Sequence, residues 1–184
     1  MDDAFEFRAP ETMTPGELGD NLARLVWESF SDFLAEEDTE IPLSEIYKLS
    51  DDEDISHRTA EEALIFFMWA HTRSAQQAFL GRAPDDRIRD GLDALHRAVF
   101  DDMIEHGTPE AQLPFFEQRV TARYAEYHQA VAESVERLGD VVSRHILGDD
   151  AGTDEAASSA LKSRAVAVAG PLADFLEEVE LVEA

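Results

Sequence analysis

Residues 59–80, with the sequence TAEEALIFFMWAHTRSAQQAFL, decide the fold that we expect the chain to adopt. Thr59 followed by Glu62 is the pattern of a helix-capping box, and Gly81 stands where helices commonly end. Residues 63–70 form an uninterrupted apolar run, so the first two turns are apolar on every side. A helix that is apolar all round has to be buried. We therefore predict a central, strongly apolar helix at about residues 59–80.

The rest of the chain has the same helical periodicity. Apolar residues recur three or four positions apart on both sides of the central segment, and we identify no convincing strand. The expected fold is all-α, a bundle of about six helices in a single domain, residues 1–184. The N-terminal arm 1–13 and the loop 148–154 are expected to be flexible. Further helices are predicted at 14–38 with a capping box at Thr14 and Glu17, at 41–49, at 85–106, at 114–146 with a kink at Gly139, and at 154–182 with a break or kink at Gly170 and Pro171.

The composition excludes several classes of protein. The 184 residues include 41 Asp and Glu against 15 Lys and Arg, which gives a net charge of −26, and there is no Cys. Non-specific binding to nucleic acid rests on basic side chains that neutralise phosphates, so we expect no nucleic-acid partner. An anionic membrane surface is disfavoured for the same reason, and no apolar run is long enough to span a bilayer. Without cysteine there are no disulfides and no thiolate chemistry.

The acidity also suggests where the protein works. The N-terminus has acids where a signal peptide needs basic residues, so we expect a cytoplasmic protein. Only two of the 15 basic residues are lysines, Lys48 and Lys162. An acid-rich, lysine-poor surface suits a halophilic protein, because molar salt screens the repulsion between like charges. The alternative is an acidic surface for a basic partner. The acids are distributed unevenly along the chain: residues 1–54 carry 3 basic and 17 acidic side chains, whereas residues 55–99 carry six of each.

His71 is the most conspicuous candidate site residue. It shares one face of the central helix with Met68 and with small residues that leave room beside the imidazole. On one interpretation His71 binds haem or a metal ion, or acts as an acid or base. On the other it is a core or interface histidine that is hydrogen-bonded to a neighbouring helix. The sequence favours the second interpretation, because no further ligand is spaced nearby.

Two other groups of side chains are candidates for ligand binding. Trp69 and Arg73 lie four apart on the central helix, which suits a cation–π contact or a salt bridge. Arg119, Arg123 and Tyr127 share a face of the helix predicted at 114–146, with Tyr124 close to them. Two guanidiniums and a phenol could clamp a carboxylate or phosphate of a ligand. The alternative, which the many acids favour, is ion pairing within the chain, for instance with Glu126.

Known catalytic and metal-binding patterns are missing from the sequence. There is no Glu-x-x-His or His-Glu-x-x-His motif, and the pair Asp93 and His96 has the spacing of an ordinary helix-surface pair. No serine lies in a Gly-x-Ser-x-Gly motif, and no glycine-rich loop could hold a phosphate. We therefore predict no catalytic residues and no metal site, and we expect no cofactor.

These observations lead to two hypotheses about function. The first is a non-enzymatic interaction or assembly protein that acts through a helical surface on a protein partner or by self-association into a homodimer. The helix at 59–80 motivates it, because the other helices would leave part of its apolar surface uncovered for a second subunit. The alternative is a helical bundle that binds a small molecule, haem or a metal near His71. Its candidate ligand-binding residues are His71, Met68, Trp69, Arg73, Arg119, Arg123, Tyr124 and Tyr127.

Overall fold

The structure is a computed structural model, and it describes residues 11–35, 53–148 and 155–184. It is an all-α bundle, as the periodicity predicts. The helix predicted at 41–49, residues 1–10 of the N-terminal arm and residues 149–154 of the loop lie outside the described residues. The elements in chain order are β1 (Glu11–Met13), α1 (Pro15–Ala35), α2 (Glu53–Phe79), α3 (Asp85–Glu105), a short 3-10 turn (Glu110–Gln112), α4 (Leu113–Glu133), α5 (Val135–Leu147), α6 (Glu155–Glu177) and β2 (Val179–Leu181).

Helix α2 is the centre of the bundle. It packs against all five other described helices, and its residues 63–70 are each at most 4% exposed. The prediction of a central apolar helix is confirmed. Its predicted start was wrong: α2 begins at Glu53, so Thr59 lies inside the helix and does not cap it. Glu62 is instead fully buried and pairs with an arginine of α4. The Glu62 carboxylate is therefore used in an ion pair between two helices and does not form a capping box with Thr59.

Helix α1 begins as its sequence predicts. The Thr14 backbone N–H donates to a Glu17 carboxylate oxygen at 2.9 Å, and the Glu17 N–H donates to the Thr14 hydroxyl at 3.3 Å. These reciprocal bonds satisfy two of the backbone donors that a helix N-terminus leaves free.

Helices α1 and α3 pack closely because two glycines lie between them. A Cβ atom added to Gly19 would lie 2.4 Å from the Ala94 Cβ atom and 2.7 Å from the Leu95 backbone nitrogen. A Cβ atom added to Gly91 would lie 2.9 Å from a methyl group of Leu18.

The side of α3 that faces the core carries the five apolar residues of its periodic stripe, and all are buried: Ile88, Leu92, Leu95, Val99 and Met103.

The prediction of a single helix at 114–146 is wrong, because the chain forms two helices there. Ser134 adopts an extended conformation between α4 and α5, and its hydroxyl accepts a hydrogen bond from the Arg137 N–H at 3.0 Å. A serine N-cap of this kind starts a new helix. Gly139, where a kink was predicted, lies buried inside α5. The apolar periodicity continues across the break and concealed it.

A break or kink is predicted at Gly170 and Pro171, and the break does not occur, because α6 continues to Glu177. A proline inside a helix leaves one carbonyl, here that of Ala167, without its intrahelical donor. Residues 167, 170 and 171 are all exposed, so water can hydrate that carbonyl. The solvent-facing position of Pro171 explains why the helix tolerates it.

The two ends of the described chain form a short parallel sheet, which the sequence did not predict. Strand β1 pairs with β2 in the register Glu11 with Val179, and Met13 with Leu181. Residues 11–13 of the predicted flexible arm are therefore held in a strand. The Arg82 guanidinium reinforces this end of the molecule by donating to the carbonyls of Leu176, Glu177 and Val179. Within the described ranges, no helix is both long enough and apolar enough to cross a membrane.

Candidate functional site

A cavity of about 290 Å³ lies between α1, α2 and α6. Its deep end is formed by Phe67, His71 and Leu172, which are all buried, and its rim includes the exposed residues Arg24 and Asp32. Seven of the twelve described residues that line it are apolar. The lining residues are Arg24, Leu25, Ser29 and Asp32 from α1, Phe67 and His71 from α2, and Arg164, Ala167, Val168, Pro171, Leu172 and Phe175 from α6.

His71 is the polar group at the deep end of this cavity, and it is only 3% exposed. Its Nδ1 atom lies 2.7 Å from the Phe67 carbonyl oxygen. Because a carbonyl oxygen only accepts hydrogen bonds, Nδ1 carries the proton and donates it. Burial lowers the pKa of His71 below its ordinary value, although the bond to Phe67 acts in the opposite direction. The ring is therefore neutral at pH 7, and Nε2 carries a lone pair.

The Nε2 atom has no hydrogen-bond partner within the described part of the chain. It lies across the imidazole ring from Nδ1, which is directed at the backbone of its own helix. A neutral imidazole that lines a mostly apolar cavity, and whose acceptor nitrogen has no partner in the described chain, can accept one hydrogen bond from a bound molecule.

Met68, Trp69 and Arg73 lie on α2 but do not form a group with His71. Met68 is fully buried in the core. The Arg73 guanidinium lies 5.8 Å from the centre of the Trp69 ring, the cation–π contact that the spacing suggests. Trp69 and Arg73 line a smaller cavity of about 140 Å³, which is also lined by residues of α4, α5 and α6. These two residues therefore belong to a different part of the bundle from the cavity beside His71.

Arg119 and Arg123 are both paired with carboxylates of α2. Arg123 makes a two-pronged contact with Glu62, with distances of 2.8 Å and 2.9 Å between nitrogen and oxygen atoms. Arg119 pairs with Glu61. The structure therefore brings the two arginines together as intramolecular ion pairs, the alternative that the sequence favours, and both guanidiniums are engaged within the chain.

The Arg123 pair continues into a network that joins α2, α4 and α5. Arg123 also contacts Glu126 at 3.1 Å, and Glu126 lies 2.6 Å from the Nε2 atom of His145. Burial alone would raise the pKa of Glu126, but the hydrogen bond and charge of His145, together with Arg123, bring it below its ordinary value. Tyr127 lies beside this network and packs against Trp69. It is fully buried, so it offers no surface to a ligand.

Tyr124 belongs to a third group of polar side chains. Its hydroxyl lies 2.9 Å from His96 Nε2 and 3.4 Å from the Thr72 hydroxyl. His96 Nδ1 is bonded to the Leu92 carbonyl, so Nε2 of a neutral ring accepts the proton of Tyr124. Burial raises the pKa of Tyr124, which keeps the phenol protonated. His96 is thus bonded through both nitrogens within the chain.

Within the described ranges, no three His, Asp or Glu side chains lie close enough together to bind a metal ion. Of the eight predicted ligand-binding residues, only His71 lines the cavity between α1, α2 and α6. The other seven lie in the core, in the smaller cavity, in or beside the ion-pair network, or in the Tyr124 group. The sequence did not identify the α1 and α6 residues that complete this cavity. The spacing of Leu25, Ser29 and Asp32, and of Val168, Leu172 and Phe175, places each set on one helix face. Periodicity alone did not indicate that the two faces meet at His71.

Comparisons with known proteins give no functional lead. The chain matches no protein-family model, and no curated protein or solved structure is significantly similar to it.

Proposed function

We propose that this protein binds a small, predominantly apolar molecule in the cavity beside His71. One observation carries the proposal: a buried, neutral histidine lies at the deep end of a cavity that opens between three helices. The interior of a helical bundle is a usual location for a ligand site, and such sites combine apolar walls with a few polar groups that orient the ligand.

The size and donors of the cavity restrict the ligand. At about 290 Å³ it lies at the lower end of the range for small-molecule sites, which favours a small organic molecule over haem. Among the described residues that line it, His71 is the only histidine, and metal ions held by proteins ordinarily need three or four ligands. A small organic ligand is therefore the form of the His71 hypothesis that the geometry supports best.

Propylbenzene tests the proposal, because it is small and apolar and makes no demand on any polar group. We expect saturable binding to the wild-type protein in ligand-observed NMR. Replacing Ala167 with tryptophan should abolish it, since Ala167 lies at the rim and the indole would occupy the cavity. Ser163→Trp is the matched control: it adds the same side chain to an exposed position of α6 that does not line this cavity, and binding should persist.

Equal binding by wild type and Ala167→Trp would place the probe elsewhere on the protein. No binding to the wild-type protein would reject the proposal.

A protein–protein interaction is the second candidate function, and exposed apolar side chains favour it. Phe115 on α4 is 70% exposed and Val166 on α6 is 61% exposed. The apolar run of α2 is covered within one chain, so an interface would have to use a different surface. Light scattering tests for a homodimer, and a strictly monomeric mass without a captured partner counts against this candidate.

We further propose that the acidic surface is an adaptation to a cytoplasm of high salt concentration. Raising KCl from about 0.1 M to about 1 M shortens the Debye length from about 10 Å to about 3 Å, which screens repulsion between the excess acids. The melting temperature should therefore rise with KCl. Sucrose is the control, because it favours compact proteins through exclusion from their surface without screening charge. A melting temperature that KCl leaves unchanged would contradict the halophilic interpretation.

A further inference from the structure

We infer that the cavity selects ligands with a neutral hydrogen-bond donor, such as a hydroxyl or amide N–H, which reaches His71 Nε2 at its deep end. This inference rests on the proposed function and names the chemistry of the ligand. It assigns His71 as the residue that determines specificity.

The hydrogen bond between His71 and Phe67 determines whether His71 donates a hydrogen bond to a ligand or accepts one from it. Nδ1 donates to a carbonyl of its own helix, so the proton of the neutral ring is already committed. Nε2 is then an acceptor and needs a donor from outside. A ligand that offers only an acceptor, such as an ether, would place two lone pairs against each other. An alcohol or phenol of the same shape would instead complete the bond.

The deep end of the cavity disfavours a charged group. Phe67 and Leu172 lie beside His71 there, and all three side chains are buried. Moving a carboxylate into such surroundings has a large desolvation penalty unless a cation pairs with it. Of these three residues only His71 could supply that cation, by gaining a proton, and burial opposes this. A neutral donor avoids both penalties.

Three charged side chains line the cavity: Arg24, Asp32 and Arg164. Arg24 and Asp32 are exposed to water, and the partly buried Arg164 already interacts within the chain. The Arg24 guanidinium also lies 2.6 Å from a carboxylate oxygen of Glu28, one turn further along α1. A ligand carboxylate at the rim would compete with this partner and with water, so the main discrimination should come from His71.

The ligand body has to be apolar and compact. Leu25 contributes apolar surface from α1, and Val168 and Phe175 contribute it from α6. A ring or short branched chain with one donor at its inner end meets these requirements.

Three probes that share one body test the inference: 4-propylphenol, 4-propylanisole and 4-propylbenzoate. The phenol offers a donor, the anisole replaces its proton with a methyl group, and the benzoate carries a charge. Binding is measured by NMR titration of the full-length protein. We expect the phenol to bind about tenfold more tightly than the anisole, the usual effect of one hydrogen bond, and the benzoate to bind more weakly than the phenol. His71→Leu should remove the preference for the phenol while propylbenzene still binds.

A second measurement uses the wild-type protein alone, so it does not depend on whether the His71→Leu variant folds. In long-range ¹H–¹⁵N NMR spectra of the wild-type protein, His71 should show a protonated Nδ1 and an unprotonated Nε2. The phenol, but not the anisole, should shift the Nε2 resonance. Equal affinity for phenol and anisole would overturn the inference while leaving the proposed function intact. Tightest binding of the benzoate would overturn it in favour of an anion site. Failure of propylbenzene and all three probes to bind would reject the proposed function itself.

Discussion

Replacing Arg123 with methionine should lower the free energy of unfolding by about 3–5 kcal/mol, as expected when one partner of a buried ion pair is removed. Glu62 is fully buried, and both of its carboxylate oxygens accept hydrogen bonds from Arg123. Without the guanidinium, the carboxylate would have to remain charged in the core or take up a proton. Urea unfolding at constant KCl concentration measures the change, because urea carries no charge that would screen the pair.

Two further variants distinguish the buried pair from a general loss of charge. Arg119→Met is the matched control, since Arg119 and its partner Glu61 are both partly exposed and such pairs contribute about 1 kcal/mol or less. Combining Arg123→Met with Glu62→Leu should recover most of the lost stability, because no unpaired charge is left in the core. An Arg123→Met effect no larger than that of Arg119→Met would contradict a structural role for this pair.

Replacing Gly19 with alanine should lower the free energy of unfolding by about 3 kcal/mol, at the upper end of the usual effect of overpacking. Alanine is normally the better helix residue by about 1 kcal/mol, so the expected sign is opposite to helix propensity. The new methyl group would lie 2.4 Å from the Ala94 Cβ atom and 2.7 Å from backbone atoms of α3. Because backbone cannot rotate away as a flexible side chain does, α1 and α3 would have to separate.

Gly16→Ala on the same helix is the control for Gly19→Ala. A Cβ atom there would meet only the Thr14 hydroxyl, at 4.0 Å. Its effect on the urea midpoint should be small or stabilising. If the two alanine variants were equally stable, the close packing of α1 on α3 would be refuted.

Local signals in the sequence predicted the parts of the fold that depend on neighbouring residues. The Thr14 and Glu17 capping box forms because both partners lie within one turn and no other described residue bonds to the Glu17 carboxylate. Thr59 and Glu62 have the same spacing, yet Glu62 binds Arg123 from a helix more than fifty residues away. The two patterns look alike in sequence, and only tertiary structure separates them.

The candidate site could be predicted only in part, because it too depends on contacts between helices that are far apart in the sequence. The small residues on the face of His71 predicted room beside the imidazole, but they do not line the cavity, to which α2 contributes only Phe67 and His71 among the described residues. Tyr124 was expected to share the site, but it bonds His96 and Thr72 in another group. The residues that complete the cavity come from α1 and α6, at opposite ends of the sequence. Helix periodicity identifies the face that each helix buries, but it does not identify the neighbour that covers this face.

A crystal structure of the protein soaked in 4-propylphenol tests the central claim most directly, because it locates both the ring and the hydroxyl. The expected result is one probe molecule between α1, α2 and α6, with its hydroxyl oxygen within hydrogen-bond distance of His71 Nε2 and its propyl group among the apolar side chains. An unoccupied cavity at a saturating probe concentration, or a probe whose hydroxyl faces the rim and leaves His71 Nε2 without a donor, would contradict it.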